Sequence, residues 1–345
     1  MNRKKEQILS CIQPTGEMHL GNFLGAIQNW VKLQNEYHCY YGVVDYHAMT
    51  MPLESNMLRQ NINRMLIDLM ACGIQPENLF LQSQIPEHTE LGWILGCITP
   101  FGELSRQTQF KDKSQHLEEI KGQSITCGLF TYPVLQAADI LIYHANQVPV
   151  GKDQEQHLEL ARNIAERFNK LFKCDYFALP ECLFTEIPKV MSLADPIKKM
   201  SKSLGAKHYI GLFEEEGIIR TKVKTAVSSA GGNSGKISPG VENLLGLLHT
   251  LGSPSVYDEL LNEELSGRLR YERLKEAVSD TLVEFTSRLR NKRESLMENE
   301  VESIERVYDS SQVIRQVAKQ TLAEVRDIVG LSVMRQTKTN FMGIK

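Results

Sequence analysis

The 345-residue sequence holds no uninterrupted apolar stretch near the ~18 residues that a membrane-spanning helix needs, which excludes an integral membrane helix. Its start, Met1-Asn2-Arg3-Lys4-Lys5-Glu6, lacks the apolar core of a signal peptide and the arginine-rich helix of a transit peptide, so a cytoplasmic protein is expected. Paired thiols are scarce as well. The seven cysteines, Cys11, Cys39, Cys72, Cys97, Cys127, Cys174 and Cys182, are odd in number and include no C-x-x-C, which disfavours a disulfide framework and a zinc site. Reduced, mostly buried thiols are expected instead. Surplus charge is missing too: the formal net charge of −3 argues against a uniformly basic coat, so a polyanionic partner must be held by local patches. Aromatic residues make up only 7%, yet the hydrophobic share of 42% is that of a globular protein and not of a disordered one. No internal repeat and no low-complexity tract is present.

What is present is an alternation of short apolar runs and helical patterns over the first two hundred residues, the mark of a parallel sheet covered by helices. Residues 7–13 read as a first strand, in which Leu9, Cys11 and Gln13 share one face. After the turn Pro14-Thr15-Gly16, Leu20, Phe23, Leu24, Ile27, Trp30 and Val31 recur at helical spacing. Tyr40 to Val44 reads as a second strand, followed by a helix from about Glu54 that stops at Gly73, and Leu79-Phe80-Leu81 as a third strand. From about Gln154 a further amphipathic helix runs through Leu158, Ala161, Ile164, Ala165 and Phe168. Beyond residue 206 the apolar positions, among them Val278, Leu282, Phe285, Leu289, Ile304 and Val307, keep a helical period. The expected architecture is therefore α/β, a Rossmann-like parallel-sheet catalytic domain over 1–205 followed by an α-helical domain over 206–345. The length, too large for one compact core, favours two domains.

Two strings carry donors for an anion. In Pro14-Thr15-Gly16-Glu17-Met18-His19-Leu20-Gly21-Asn22, His19 and Asn22 fall in the first turn of a helix, where free N–H groups and the helix dipole favour negative charge. Gly21 there lets a nucleotide come close to the backbone. Alone, an H-x-G-N string is an ordinary helix start. The second string, Lys198-Lys199-Met200-Ser201-Lys202-Ser203-Leu204-Gly205, is dense in ammonium and hydroxyl donors, although a basic run is usually a solvated loop. A third, Gly231-Gly232-Asn233-Ser234-Gly235-Lys236, superficially looks like a P-loop, but its glycine spacing is short and Ile237 replaces the Mg²⁺-holding Ser/Thr. On an α-helix Tyr132, Gln136 and Asp139, at i, i+4 and i+7, share a face that suits a ligand, or else Asp139 is a satisfied core group.

In this order the first two strings resemble the paired signatures of class I aminoacyl-tRNA synthetases, "HIGH" as His19-Leu20-Gly21-Asn22 and "KMSKS" intact at Lys199 to Ser203. The lead Gln13-Pro14-Thr15-Gly16, the stretch Tyr132 to Asp139 and the stretch Val148 to Gln154 are similar to the tryptophanyl branch of that class. The resemblance implies ATP-dependent activation of L-tryptophan, its transfer to tRNA(Trp), and a homodimer. It implies an amino-acid pocket from Leu9, Cys11, His47, Tyr132, Gln136, Asp139, Ile140, Val148 and Val150, with Asp139 accepting the indole N–H. It implies an ATP site from Gln13, Pro14, Thr15, Gly21, Asn22, Gly151, Lys152, Asp153, Gln154, Val190, Lys199, Met200, Ser201, Lys202 and Ser203. Lys199, Lys202, Lys113 and His19 would stabilise phosphate charge, with Mg²⁺ held through the phosphates and not by a protein cage. The tyrosyl branch shares the Tyr-x-x-x-Gln-x-x-Asp arrangement but favours a second histidine where Asn22 stands. A non-catalytic RNA-binding paralogue need not retain both signatures, and a small-molecule nucleotidylyltransferase would leave the helical last third unexplained. Cys11, Lys152 and Leu204 depart from the family's usual glycine, glutamate and aspartate. Arg288, Arg290, Lys292 and Arg293 form a basic cluster of the kind that is more often a solvated helix face.

Overall fold

The computed structural model describes residues 6–52, 54–119, 124–149, 151, 155–183, 190–228 and 237–332, the side chains of 113 and 116–119 apart. Five parallel strands form one sheet: β1 (Gln7–Ile12), β2 (His38–Val43), β3 (Leu79–Leu81), β4 (Gln147–Pro149) and β5 (Glu181–Leu183). Their order is β3-β2-β1-β4-β5. The chain therefore winds outward from β1 in one direction and then, from β4, in the other, and in such a sheet the crevice at the carboxyl ends of the two central strands is where ligands bind. Alternate residues feed two cores. Ile8, Cys39, Tyr41, Val43, Leu79 and Leu81 face one side, and Leu9, Tyr40 and Phe80 the other. Burial on both faces explains why these strands read as continuous apolar runs.

The first strand ends at Ile12, one residue short of the expected end, and the following helix begins at α1 (Leu20–Asn22), widens into a π-helical turn over Phe23–Ile27 and continues as α2 (Gln28–Leu33). Then come α3 (Asp45–Ala48) and α4 (Ser55–Ala71), with Gly73 at φ +104° ending the latter in the left-handed conformation that glycine adopts at least cost. On the second face lie α5 (Glu87–Ile98), α6 (Phe101–Ser105), α7 (Thr108–Glu119), α8 (Cys127–Leu141) and α9 (Glu155–Phe172). Helix α9 buries the apolar stripe read in the sequence, Leu158, Ala161, Ile164, Ala165 and Phe168. Its larger side chains each contribute roughly 1.5–3 kcal/mol of burial.

The last third consists of α10 (Glu216–Lys224), α11 (Pro239–Leu251), α12 (Pro254–Leu265), α13 (Tyr271–Glu298) and α14 (Glu300–Ile328). These helices share both cores with the sheet: Leu274, Val278, Leu282 and Val307 join the first, Ile314, Ala318 and Leu322 the second. Helix α14 also donates a polar tie, because the Leu81 N–H at the end of β3 bonds to Ser311 Oγ at 3.1 Å. The basic cluster on α13 splits. Arg288 is exposed, but Arg293 forms an ion pair with buried Asp68 of α4 and lies over the Phe213 ring, and Arg290 donates to the Glu214 main-chain oxygen. Packing against α4 and the 213–214 turn takes half of that set out of the solvent. No described helix is long and apolar enough to cross a membrane. The Gly231–Lys236 string lies outside the described residues.

Candidate active site

At the carboxyl ends of β1 and β4 opens a pocket of about 470 Å³. Strand β1 supplies Leu9 and Cys11, with Gln13 just past its end; α8 supplies Tyr132, Gln136, Asp139 and Ile140, which recur at helical spacing; α3 supplies His47 and β4 Val148. Ser10, Val44, Gln109 and Pro149 complete the wall. Tyr132 joins three helices there, since its hydroxyl lies 3.3 Å from Gln109 Oε1 on α7 and 3.2 Å from His157 Nε2 on α9.

The polar centre of the pocket is Asp139, only 2% exposed. His47 Nε2 reaches its Oδ2 at 2.8 Å, His88 Nδ1 its Oδ1 at 2.6 Å, and Gln82 Nε2 lies 2.8 and 3.0 Å from the two oxygens. Burial by itself raises a carboxyl pKa, but the bonds and charge interactions with His88 and His47 outweigh it here and hold Asp139 down at about 2. The pocket thus presents a fixed, ionised acceptor among walls of mixed polar and apolar side chains. Such a group suits a ring N–H donor. The Cys11 thiol, partly buried beside it, is pushed up by burial and by the Asp139 charge, so it stays protonated.

A second cluster adjoins the pocket across the β1–α1 turn. Gln13 leads into Pro14 and Thr15, Gly16 takes φ +95°, and His19 is the N-cap of α1, its N–H bonded to Asn22 Oδ1 at 3.0 Å. The stretch after the second signature folds back on this turn: the Leu20 N–H bonds to Ile210 O at 2.8 Å and the Leu212 N–H to Met18 O at 3.0 Å. Met200 is buried, its N–H bonded to Val190 O, and it stands close behind Gly21. Lys202 Nζ donates to the main-chain oxygens of Thr15 and Glu17, while Ser201 and Ser203 bond to each other at 2.9 Å and Lys199 is exposed. His19 is 8% exposed, and burial, then Lys202, then Lys199 push its imidazole down to about 4. It is neutral near pH 7, a hydrogen-bond donor and not a cation, and its Nδ1 has no partner among the described residues. Two strings 180 residues apart thereby meet as one group of nitrogen and hydroxyl donors next to an amino-acid-sized pocket.

Comparison with known proteins gives the family. A family model described as tRNA synthetases class I (W and Y) matches residues 1–287. The tryptophan–tRNA ligase of Clostridium tetani is 41% identical over 340 residues, 96% of this chain and 97% of that protein. That of Clostridium acetobutylicum is 40% identical over 339 residues, 96% of this chain and 98% of its own. The chain belongs to the class I tRNA synthetases for tryptophan and tyrosine. Among solved structures, tryptophanyl-tRNA synthetase from Campylobacter jejuni complexed with ADP and tryptophan superimposes with a TM-score of 0.82 at 31% identity, covering 94% of this chain and 99% of that one.

Within this class I synthetase the structure gathers Leu9, Cys11, Gln13, His47, Tyr132, Gln136, Asp139, Ile140 and Val148 at one pocket, and Pro14, Thr15, His19, Gly21, Asn22, Val190 and Met200 to Ser203 at the adjoining turn. Val150, Lys152, Asp153 and Gln154 lie outside the described residues; Gly151 is placed just past β4, and Lys113 lies on α7, its side chain undescribed. Gln82 and His88, which bond Asp139, and Tyr143, which bonds His88, escaped the sequence reading. One signal for Gln82 was available: a polar residue directly after the apolar run Leu79-Phe80-Leu81 stands at the carboxyl end of a parallel strand, where site residues collect.

Proposed function

We propose that the chain is an L-tryptophan–tRNA(Trp) ligase. In the first step a tryptophan carboxylate oxygen bonds to the α-phosphorus of ATP and the bond to the pyrophosphate oxygen breaks, giving tryptophanyl-adenylate and pyrophosphate. In the second the terminal ribose hydroxyl of tRNA attacks the acyl carbon, AMP leaves with the electron pair, and the hydroxyl proton passes to solvent or phosphate. The observation that carries the reading is the juxtaposition of a buried, ionised acceptor at Asp139 with the donors of both signatures.

The carboxylate is already a nucleophile, so no protein nucleophile is required, and positioning with charge stabilisation does the catalysis. Asp139 accepts the indole N–H, with His47, Tyr132, Gln136, Ile140, Val148, Val150, Leu9 and Cys11 around the ring. Gln13, Pro14, Thr15, Gly21 and Asn22 bed the nucleotide, Gly151, Lys152, Asp153 and Gln154 its ribose, Val190 and Met200 the adenine side. His19, Lys113, Lys199, Ser201, Lys202 and Ser203 meet the phosphates. The donors on the phosphate side are ammonium, hydroxyl and amide groups, which suit phosphate oxygens and not a bare cation. A Mg²⁺ would then be carried by the phosphate oxygens of ATP, where it would neutralise charge. Residues 1–205 form the catalytic part and 206–345 the part that binds tRNA. A homodimer in the cytoplasm belongs to the same reading, with Trp93 and Phe101, exposed on the successive helices α5 and α6, as candidates for its interface.

Pyrophosphate exchange into ATP, measured with each of the twenty amino acids, tests the reading. Exchange with tryptophan above all others is expected. Exchange that depends on tyrosine instead, or on no amino acid, would overturn it.

A further inference from the structure

Asp139 carries more hydrogen bonds than recognition of one ring N–H requires. An ionised carboxylate has about four acceptor positions. In this chain His88 Nδ1 and Gln82 Nε2 converge on Oδ1 at 2.6 and 2.8 Å, while His47 Nε2 and the same Gln82 nitrogen lie 2.8 and 3.0 Å from Oδ2. Oδ1 is fully engaged by two close donors. Oδ2 has one strong donor and one longer, shared contact, and it is the oxygen on the side of His47, which together with Asp139 lines the pocket. His88, Gln82 and Tyr143 are each 0% exposed and stand behind the pocket wall.

The chemistry of His88 is set by its two neighbours. A carboxylate can only accept, so the 2.6 Å contact requires hydrogen on Nδ1. On the other side Nε2 lies 2.7 Å from the Tyr143 hydroxyl, which burial keeps protonated and which therefore has a hydrogen to donate. Tyr143 donating to Nε2 and Nδ1 donating to Asp139 is the one assignment in which a neutral imidazole satisfies both contacts. The ring has no room to turn: Phe80 stacks on it at 5.7 Å and 14°, Tyr143 meets it edge-on at 5.3 Å, and Tyr143 is itself stacked on Tyr40 at 4.5 Å.

We propose that His88 is a positioning residue for amino-acid selection: with Gln82 it occupies and fixes Oδ1 of Asp139, so that the pocket offers the Oδ2 edge alone, in one orientation, to a ring N–H. The inference rests on the reading of Asp139 as the indole acceptor. Without His88 the carboxylate is held only by Gln82, which contacts both oxygens, and by His47, so it gains freedom about its last torsion and an incoming N–H no longer meets a single prepared acceptor. A ligand that lacks the N–H loses nothing by this change. His88 therefore acts on the ratio of two substrates more than on the rate of the phosphoryl step.

The test compares pyrophosphate exchange with tryptophan and with β-(1-benzothiophen-3-yl)alanine, in which sulfur replaces the N–H, for the parent, His88→Leu and His88→Asn. A charge-assisted bond of this kind sets an effect of roughly 10–100-fold. His88→Leu is expected to raise KM for tryptophan by about that factor, with kcat within about threefold, and to lower the tryptophan-to-analogue ratio of kcat/KM equally. His88→Asn, whose amide nitrogen stands near the place of Nδ1, should recover most of the ratio, an outcome that a purely structural role does not produce. Thermal unfolding checks that each variant folds. Histidine ¹⁵N spectra of the unmodified protein give a reading that needs no variant: they should show His88 with hydrogen on Nδ1. A parent that treats both substrates alike removes Asp139 from recognition and His88 with it. A parent that discriminates, with His88→Leu discriminating equally, or a His88 without hydrogen on Nδ1, overturns the His88 role and leaves Asp139 in place.

Discussion

The ammonium of Lys202 lies 2.7 Å from the main-chain oxygen of Glu17, and 3.2 Å from that of Thr15, so the cation of the second signature is seated on the turn that leads into the first. A carbonyl oxygen is a weaker partner for an ammonium than a phosphate. Burial lowers the Lys202 pKa somewhat, against the opposing charge of Glu17, so this cation is partly desolvated before any substrate arrives. Reaching the triphosphate costs it two neutral bonds and returns charged ones.

Lys202→Ala should consequently lower the rate constant of adenylate formation by on the order of 10²-fold, the cost of one donor that meets developing charge. Tryptophan affinity should change little, because the ammonium sits on the nucleotide side. Single-turnover formation of the adenylate, with tryptophan binding titrated separately, reads both. An unchanged rate constant would take Lys202 out of the chemistry.

His19 gives a pH signature. Its imidazole falls from 6.5 in the unfolded chain to about 4 in the folded one, by burial first and then by Lys202 and Lys199. Between those values the unfolded chain binds a proton that the folded chain refuses, so the contribution of His19 to stability is complete above pH 6.5 and lost as pH falls towards 4. By pH 5 the loss is roughly 2 kcal/mol. Denaturant unfolding of the parent and of His19→Gln from pH 7.5 to pH 5 should show the parent losing about that much more than the variant. Parallel pH curves would mean that His19 titrates normally in the fold.

Gly21 tests how tightly the first signature is packed. A Cβ at this position would lie 2.9 Å from His19 Cε1 and 3.0 Å from its Nδ1, inside normal contact distance. The ring must move, and with it the partnerless Nδ1. Gly21→Ala is expected to raise KM for ATP about tenfold or more, for one displaced donor, while the dissociation constant of tryptophan stays within about twofold. Equal weakening of both substrates would show that the methyl group disturbs the whole turn and not the imidazole.

The sequence made the local parts of this site legible and left the long-range ones hidden. Leu9, Cys11 and Gln13 could be placed on one face because a strand repeats every two residues, and Tyr132, Gln136 and Asp139 on another because a helix repeats every 3.6 or so. The meeting of the two signatures followed from their resemblance to a family and not from any period; in the structure it is made by Lys202 seated on Thr15 and Glu17, backed by Leu20 bonding to Ile210. Gln82 and His88 reach Asp139 from 57 and 51 residues away, and such contacts leave no spacing to read. The π-helical turn at Phe23–Ile27 has no composition mark, and β4 and β5, three residues each, are too short for alternation to show. The expectation of a wholly solvated basic cluster on α13 failed for a related reason: Asp68, the partner of Arg293, is on another helix.

Cys11 and Gly42 occupy neighbouring strands in register, and the thiol of the first fills the space beside the second. A Cβ on Gly42 would lie 2.9 Å from Cys11 Sγ and 2.6 Å from Phe80 Cζ, so glycine at 42 is what admits a side chain at 11. The thiol also lines the amino-acid pocket. Cys11→Gly should therefore open volume at the floor of the pocket without disturbing Asp139 or His47. The variant is expected to keep tryptophan exchange within a few-fold and to accept ring-substituted tryptophans that the parent excludes, since a methyl-sized space is worth roughly 1–3 kcal/mol in selection. Reactivity gives an independent check. Because burial and the Asp139 charge raise its pKa, the Cys11 thiol should be alkylated at neutral pH far more slowly than exposed Cys97 and Cys127, and more slowly still when tryptophan and a non-hydrolysable ATP analogue are bound. Mass-spectrometric alkylation rates that ignore both ligands, together with an unchanged analogue profile in Cys11→Gly, would make the residue a core thiol with no part in selection.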